Sequence, residues 1–160
     1  MSFDQLLKEA GGFKNLFRMA RERGMNVEEQ VQATLGTDSE LFRIVGCRMV
    51  KVEEGRVELS FPFSKAITRR GGMVHGGIVM YALDSVCGIT AMTVNPGMDQ
   101  VTLELKVNFL EPLRKGPFTA IGKVVRDGGS VAVVEGEIKD ADGLVCARSL
   151  GTWYMVKTKT

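Results

Sequence analysis

The apolar positions of this chain change their period twice. In the first forty residues Phe13, Leu16, Phe17 and Ala20 recur at i, i+3, i+4 and i+7, with Lys14, Arg18 and Arg21 on the other side, the spacing of a one-faced helix. Such a basic amphipathic helix packs on its own domain or a partner subunit, the commoner use, or lies on a membrane surface. Ser2 with Gln5, and Asn26 with Glu29, have the spacing of helix-start caps. Gly11-Gly12, Gly24 and Gly36 break the region into pieces. The spacing therefore predicts a helical N-terminal extension over 1–40, followed by one domain over 41–160.

From Leu41 the period falls to 2. Val57, Leu59, Phe61 and Phe63 alternate with polar residues, and Val101, Leu103, Leu105, Val107 and Phe109 alternate with Thr102, Glu104, Lys106 and Asn108. This is the pattern of half-buried strands. Turn chemistry at 53–55, 127–130 and 140–143 predicts hairpins. Strands are expected near 98–110, 116–127, 130–140 and 143–156, with a hairpin near 41–63, about six antiparallel strands in all. Residues 76–94 break the rhythm, with apolar side chains all round the helical wheel, which predicts a helix buried on most sides. The expected architecture is α+β, an antiparallel sheet wrapped around one central helix.

Composition narrows what such a domain does. With 44% apolar and 25% charged residues over 160 positions, the chain has the make-up of a folded globular protein. A net charge of +2, and −2 within the first forty residues (five basic, seven acidic), argues against nucleic acid as a partner. No apolar run reaches the roughly 18–20 residues of a membrane span, and Met1-Ser2-Phe3-Asp4 opens no secretory signal. Cys47, Cys87 and Cys146, an odd and widely spaced set, suit reduced thiols in a cytoplasmic setting. His75 is the single histidine and has no cysteine beside it, so no metal site is expected. Glycine, 19 of 160, exceeds its usual ~7%.

Charge and glycine meet in one place. Between His75 and Asp99 the only charged side chain is Asp84, in the middle of the apolar helix. A carboxylate there must find partners, take up a proton or face a cleft. Arg70-Gly71-Gly72-Met73-Val74-His75-Gly76-Gly77 leads into that helix. Its first-turn N–H groups are unpaired donors at the positive end of the helix dipole, where an oxyanion can bind. His75 is either a general base or a ring that fixes the turn. Cys87, one turn past Asp84, is a minor nucleophile candidate. Nothing matches a P-loop or a dinucleotide fingerprint.

His75-Gly76-Gly77 opening an apolar helix, an acid nine positions after the histidine, and the alternating run 101–109 followed by Pro112 together resemble the hotdog-fold acyl-CoA thioesterases of the PaaI-like group, over roughly 41–156. The resemblance implies that Gly76 N–H polarises the thioester carbonyl, that Asp84 is base or nucleophile, and that Thr102 helps hold the attacking water. It implies a homodimer, often paired into a tetramer, with Gly76 and Asp84 of each site from different chains. The substrate would be an acyl-CoA, and neither metal nor redox cofactor is called for. Its acyl chain would run along the helix among Ile78, Met80, Tyr81 and Met92, near Gly77. Arg69 and Arg70 with Lys65, or Arg114 with Lys115, are either contacts for the coenzyme A phosphates or ordinary solvated loop charges. Arg69 stands where the family commonly has Asn. A non-catalytic acyl-CoA-binding or regulatory hotdog protein is the alternative, and a hotdog hydratase or dehydratase using His75 a more distant one.

Overall fold

The computed structural model of the chain describes residues 2–158. Four helices come first, α1 (Phe3–Ala10), α2 (Phe13–Glu22), α3 (Val27–Asp38) and α4 (Glu40–Val45). A hairpin of β1 (Arg48–Glu53) and β2 (Arg56–Phe61) follows, then a two-rung ladder of β3 (Thr68–Arg69) with β4 (Met73–Val74). The long helix α5 (Gly76–Met92) precedes β5 (Asp99–Phe109), β6 (Phe118–Asp127), β7 (Val131–Lys139) and β8 (Val145–Val156). The main sheet is antiparallel throughout, in the order β1-β2-β6-β7-β8-β5. Five of its strands, all but β1, pack against α5. This is the α+β arrangement, with its central helix, that the hydrophobic pattern implies.

The helix lies deep because the sheet has no side chains in its way. Gly122 of β6 stands opposite Gly136 of β7, and Gly136 opposite Ser149 of β8. A Cβ on Gly136 would lie 2.6 Å from Ser149 Oγ and 2.7 Å from Cys87 Sγ. One on Gly122 would press on Thr90 Oγ1 and lie 3.0 Å from the Val86 carbonyl oxygen. Through this gap Leu83, Val86 and Cys87 become fully buried. Part of the glycine surplus therefore lies inside strands, not only at turns, where close backbone approach requires it.

The N-terminal helices clasp one edge of the sheet. Ser2 and Gln5 form a capping box, and Asn26 Oδ1 accepts from Glu29 N–H. The stripe Phe13, Leu16, Phe17, Ala20 is buried. Its opposite side has protein partners, since Lys14 and Arg18 pair with Glu54 and Arg21 donates to the Val52 carbonyl. The cations thus pack on the β1–β2 hairpin, which leaves the membrane-surface use without support. Alongside, Gln32 Oε1 accepts from Met49 N–H at 2.7 Å and Glu28 Oε1 from Val52 N–H at 2.8 Å, while Gln32 Nε2 donates to the Cys47 carbonyl. These side chains do for β1 what a neighbouring strand would do. No helix among the described residues is long and apolar enough to cross a membrane.

Three details differ from the pattern. Gly36 sits inside α3 and breaks nothing, and α4 carries the helical segment beyond Leu41, so the first strand starts at Arg48. The single apolar face expected for Val101, Leu103, Leu105, Val107 and Phe109 is split. Thr102 pairs with Trp153 and Glu104 with Thr152, leaving Leu103 as a bulge. Before it Gln100 and Thr102 share the face of buried Met155 and Trp153; after it Leu105, Val107 and Phe109 take that face, opposite Gly151, Ser149 and Ala147.

Two glycine substitutions separate close packing from conformational freedom. Gly136→Ala should cost about 1–3 kcal/mol by overpacking. Gly36→Ala, with open space at its Cβ, should add about 0.5–1 kcal/mol by raising helix propensity. Urea unfolding of the two variants against the parent reads both signs.

Candidate active site

Helix α5 carries both halves of the candidate chemistry, at different heights. His75 is its N-cap, and Nδ1 accepts from Gly77 N–H at 2.9 Å. That bond requires Nδ1 to be unprotonated and consumes the Gly77 donor. The Ile78 and Val79 N–H groups both go to the His75 carbonyl. Of the first-turn donors, Gly76 N–H is the one with no acceptor among the described residues. It points out of the helix start, where the dipole favours negative charge. Gly76 lines a cavity of about 440 Å³ with Arg69, Met73, Phe109, Leu110 and Pro112. The turn feeding it depends on glycine, with φ of 97° at Gly71 and 68° at Gly72. Arg114 Nη1 steadies that turn by donating to the Gly71 carbonyl at 2.6 Å.

Asp84 lies eight residues further on, about 12 Å along the axis at 1.5 Å per residue. It is half-buried, not sealed in the core, and it solves its desolvation problem by facing a cleft. Thr102 Oγ1 donates to Asp84 Oδ1 at 2.9 Å. Oδ2 has no hydrogen-bond partner, and no cation pairs with Asp84, among the described residues. The bulge at Leu103 makes the Thr102 contact possible: with unbroken alternation after residue 105, Thr102 would point away from the helix. Bulges commonly re-aim side chains in this way. The carboxylate opens on a cavity of about 230 Å³ between α5, α4 and β5, where Tyr81, Met92, Phe42 and Trp153 give apolar walls.

The residues singled out in the sequence thus fall into two groups. Asp84, Thr102 and Tyr81 meet at one cavity, with Met92 at its far end; Gly76 and Arg69 meet at the other. Met80 is exposed, and Ile78 lines neither cavity. Gly77 contributes its N–H to His75 and not to an open site. Arg70 is exposed and lines neither cavity. Of the second basic pair, Arg114 holds the glycine turn and Lys115 pairs with Asp142 at 2.8 Å. Gln100, Ser39 and Phe42 also line the Asp84 cavity and were not singled out. Gln100 shares the Thr102 face, two residues earlier on the strand, and that spacing was its available signal.

Cys87 is no nucleophile in this setting. Burial pushes its thiol up to about 12, as it does for Cys47, so thiolate is scarce near neutral pH. A thiol-titrating disulfide reagent near neutral pH should leave both cysteines unmodified until denaturant is added. Loss of the His75 acceptor in His75→Ala should cost about 1 kcal/mol of stability, as for other N-caps, read as a shifted urea midpoint.

Comparison with known proteins shows the family. The thioesterase superfamily profile matches residues 71–147, the stretch from the glycine turn through α5 and β5 to the start of β8. A Saccharolobus solfataricus protein, provisionally named an esterase, is 51% identical over 120 residues, covering 75% of this chain and 86% of that one. A medium/long-chain acyl-CoA thioesterase, YigI of Salmonella typhimurium, is 27% identical over 132 residues, covering 71% and 83%. Among solved structures, a thioesterase family protein from Silicibacter pomeroyi superposes with a TM-score of 0.73 at 30% identity, covering 79% and 96%. With its helix-wrapping sheet, its glycine-led α5 and these relatives, the chain belongs to the thioesterase superfamily as a hotdog-fold thioester hydrolase.

Proposed function

We propose that the protein hydrolyses acyl-CoA thioesters at a site completed by two copies of the chain. The observation that carries this reading is the separation of Gly76 N–H from Asp84, about 12 Å along one helix. A thioester carbonyl cannot touch both within one subunit. Two antiparallel copies of the α5/β5 seam would bring the Gly76 of one against the Asp84 of the other, twice, by twofold symmetry. The free edge supports such pairing. β5 ends the sheet, Val101, Leu103 and Phe109 are each about half exposed, and no helix among the described residues covers it as α3 covers β1. The acyl-CoA class rests on the resemblance of the motif and on the named activity of the YigI relative.

The chemistry follows from the free groups. Gly76 N–H donates to the thioester carbonyl oxygen and binds the negative charge that grows there in the tetrahedral intermediate. Asp84 Oδ2, with Oδ1 held by Thr102, takes a proton from water as its oxygen bonds to the carbonyl carbon. Thr102 keeps the carboxylate oriented and offers a lone pair to the same water. Collapse breaks the C–S bond, and the proton passes from Asp84 to the leaving thiolate, giving free acid and coenzyme A. Arg69, beside Gly76, is placed to meet the anionic end of the substrate. His75 shapes the turn by accepting from Gly77 N–H at Nδ1, which supports the hydrolase reading over a hydratase using that ring.

Thiol-release assays on a panel of acyl-CoA esters test this. Asp84→Asn should lower kcat by about 10²–10⁴. Gly76→Pro should cost about 10²–10³ without unfolding the helix, because proline is favoured at the first helical position and His75, at φ −61° and ψ 135°, already has the backbone that precedes proline. Refolding the two inactive variants together should restore about a quarter of parental activity, since half the dimers would be mixed and each would hold one intact site. No recovery on mixing would place the site within one chain. Tight acyl-CoA binding by the parent without turnover would favour the regulatory alternative.

A further inference from the structure

The cavity beside Asp84 has one wall that the hotdog sheet and helix do not supply. Leu35, Ser39 and Phe42, from α3, the α3–α4 junction and α4, face it together with Tyr81, Ile89 and Met92 of α5. Their convergence has a local cause. Ser39 ends α3 and starts α4, its Oγ accepting from Phe42 N–H at 3.2 Å. The resulting corner turns the chain, so that residues seven apart, Leu35 and Phe42, line the same space. Ser39 Oγ also comes within 3.5 Å of the Tyr81 hydroxyl, which ties the corner to α5.

This wall is fixed in height. The bonds from Glu28 and Gln32 of α3 to Met49 N–H, Val52 N–H and the Cys47 carbonyl set the register of α3 along β1, and with it the position of Leu35. The cavity runs from Tyr81 and Asp84 to Met92, eight residues or about 12 Å of helix beyond the carboxylate. Benzene fills an apolar cavity of about 150 Å³, so about 230 Å³ accepts an aryl or medium-length alkyl group.

We infer that the N-terminal helices are the stop that sets acyl length, with Leu35 and Phe42 as specificity-determining residues and an aryl or medium-length acyl group as the class accepted. This rests on the reading that the Asp84 cavity takes the acyl group. Leu35 is the position to vary, being part-buried at the wall and outside the proposed proton-transfer groups.

The experiment compares kcat/KM for acetyl-, hexanoyl-, decanoyl-, palmitoyl- and benzoyl-CoA in the parent, Leu35→Ala and Leu35→Trp. One methylene in an apolar pocket is worth roughly 10–200-fold. Leu35→Ala should therefore raise the decanoyl-to-hexanoyl ratio by about tenfold or more, and Leu35→Trp should lower the hexanoyl-to-acetyl ratio by a similar factor. Identical chain-length profiles in all three proteins, each folded by circular dichroism, would overturn the inference. Leu35→Met, close in volume, gives a second comparison should Leu35→Ala unfold; its ratios should stay close to those of the parent while Leu35→Trp shifts. The same variants are titrated calorimetrically with non-hydrolysable acyl-CoA thioethers of these lengths. If the parent binds the thioethers and cleaves no thioester, the hydrolytic reading fails, while a shifted or unshifted binding profile still supports or overturns this one. Absence of both binding and cleavage overturns both.

Discussion

Backbone approaches side chain across the middle of the sheet at Gly122 and Gly136, and most of the molecule is arranged around that contact. A single Cβ at either position would push α5 outward, and α5 carries both Gly76 and Asp84. The depth of the helix decides whether Thr102 reaches Asp84 at 2.9 Å and whether Gln100 Nε2 reaches the Gly88 carbonyl at 2.6 Å. Packing sets these distances because the interior is near crystal density and has few soft directions. The glycine row is thus a structural requirement with a chemical consequence, since it holds a carboxylate at the boundary between core and cleft.

The two ends of α5 solve different problems. At the N-terminus His75 uses its ring and carbonyl to satisfy three of the first-turn donors and leaves the fourth, on Gly76, for a ligand. At the C-terminus the helix is anchored, with Thr93 Oγ1 accepting from Gly55 N–H and donating to the Thr90 carbonyl. Between them the exposed stripe of α5 and the strand β5 run side by side, with Gly76 and Phe109 lining one cavity and Asp84 bonded to Thr102. The proposed chemistry occupies that seam.

Much of this was legible in the residues, and the exceptions have physical reasons. The caps at Ser2 and Asn26, the stripe on α2, the four long strands and the apolar α5 all follow from local spacing, which the tertiary structure respects. Asp84 stood out as the one charge in a long apolar stretch, and the resemblance drew Thr102 and Gly76 to it. The bulge at Leu103 was hidden because apolar and polar residues alternate through it without a break; an extra residue changes the face of a strand but not its composition. Gly122 and Gly136 were hidden as well, since a glycine inside a strand looks like a turn until its cross-strand neighbour is known. The α3–α4 corner depends on Ser39 alone, and the residues it gathers, Leu35 and Phe42, share a surface only after the corner forms. For the basic residues Arg114 and Lys115 charge alone left a phosphate and a solvated loop both open, and their partners here are a glycine turn and Asp142.

The side chains of Glu28 and Gln32 along β1 have a consequence for assembly. A sheet with two bare edges can keep adding copies, and the product is a filament. Here Met49 N–H and Val52 N–H at the β1 edge are taken by side chains of α3 and the Val52 carbonyl by Arg21 of α2, so that edge is closed to a neighbouring strand while β5 is not. On the proposed pairing through β5, growth would terminate at two copies, and losing the α3 contacts at β1 would open a second edge to further addition.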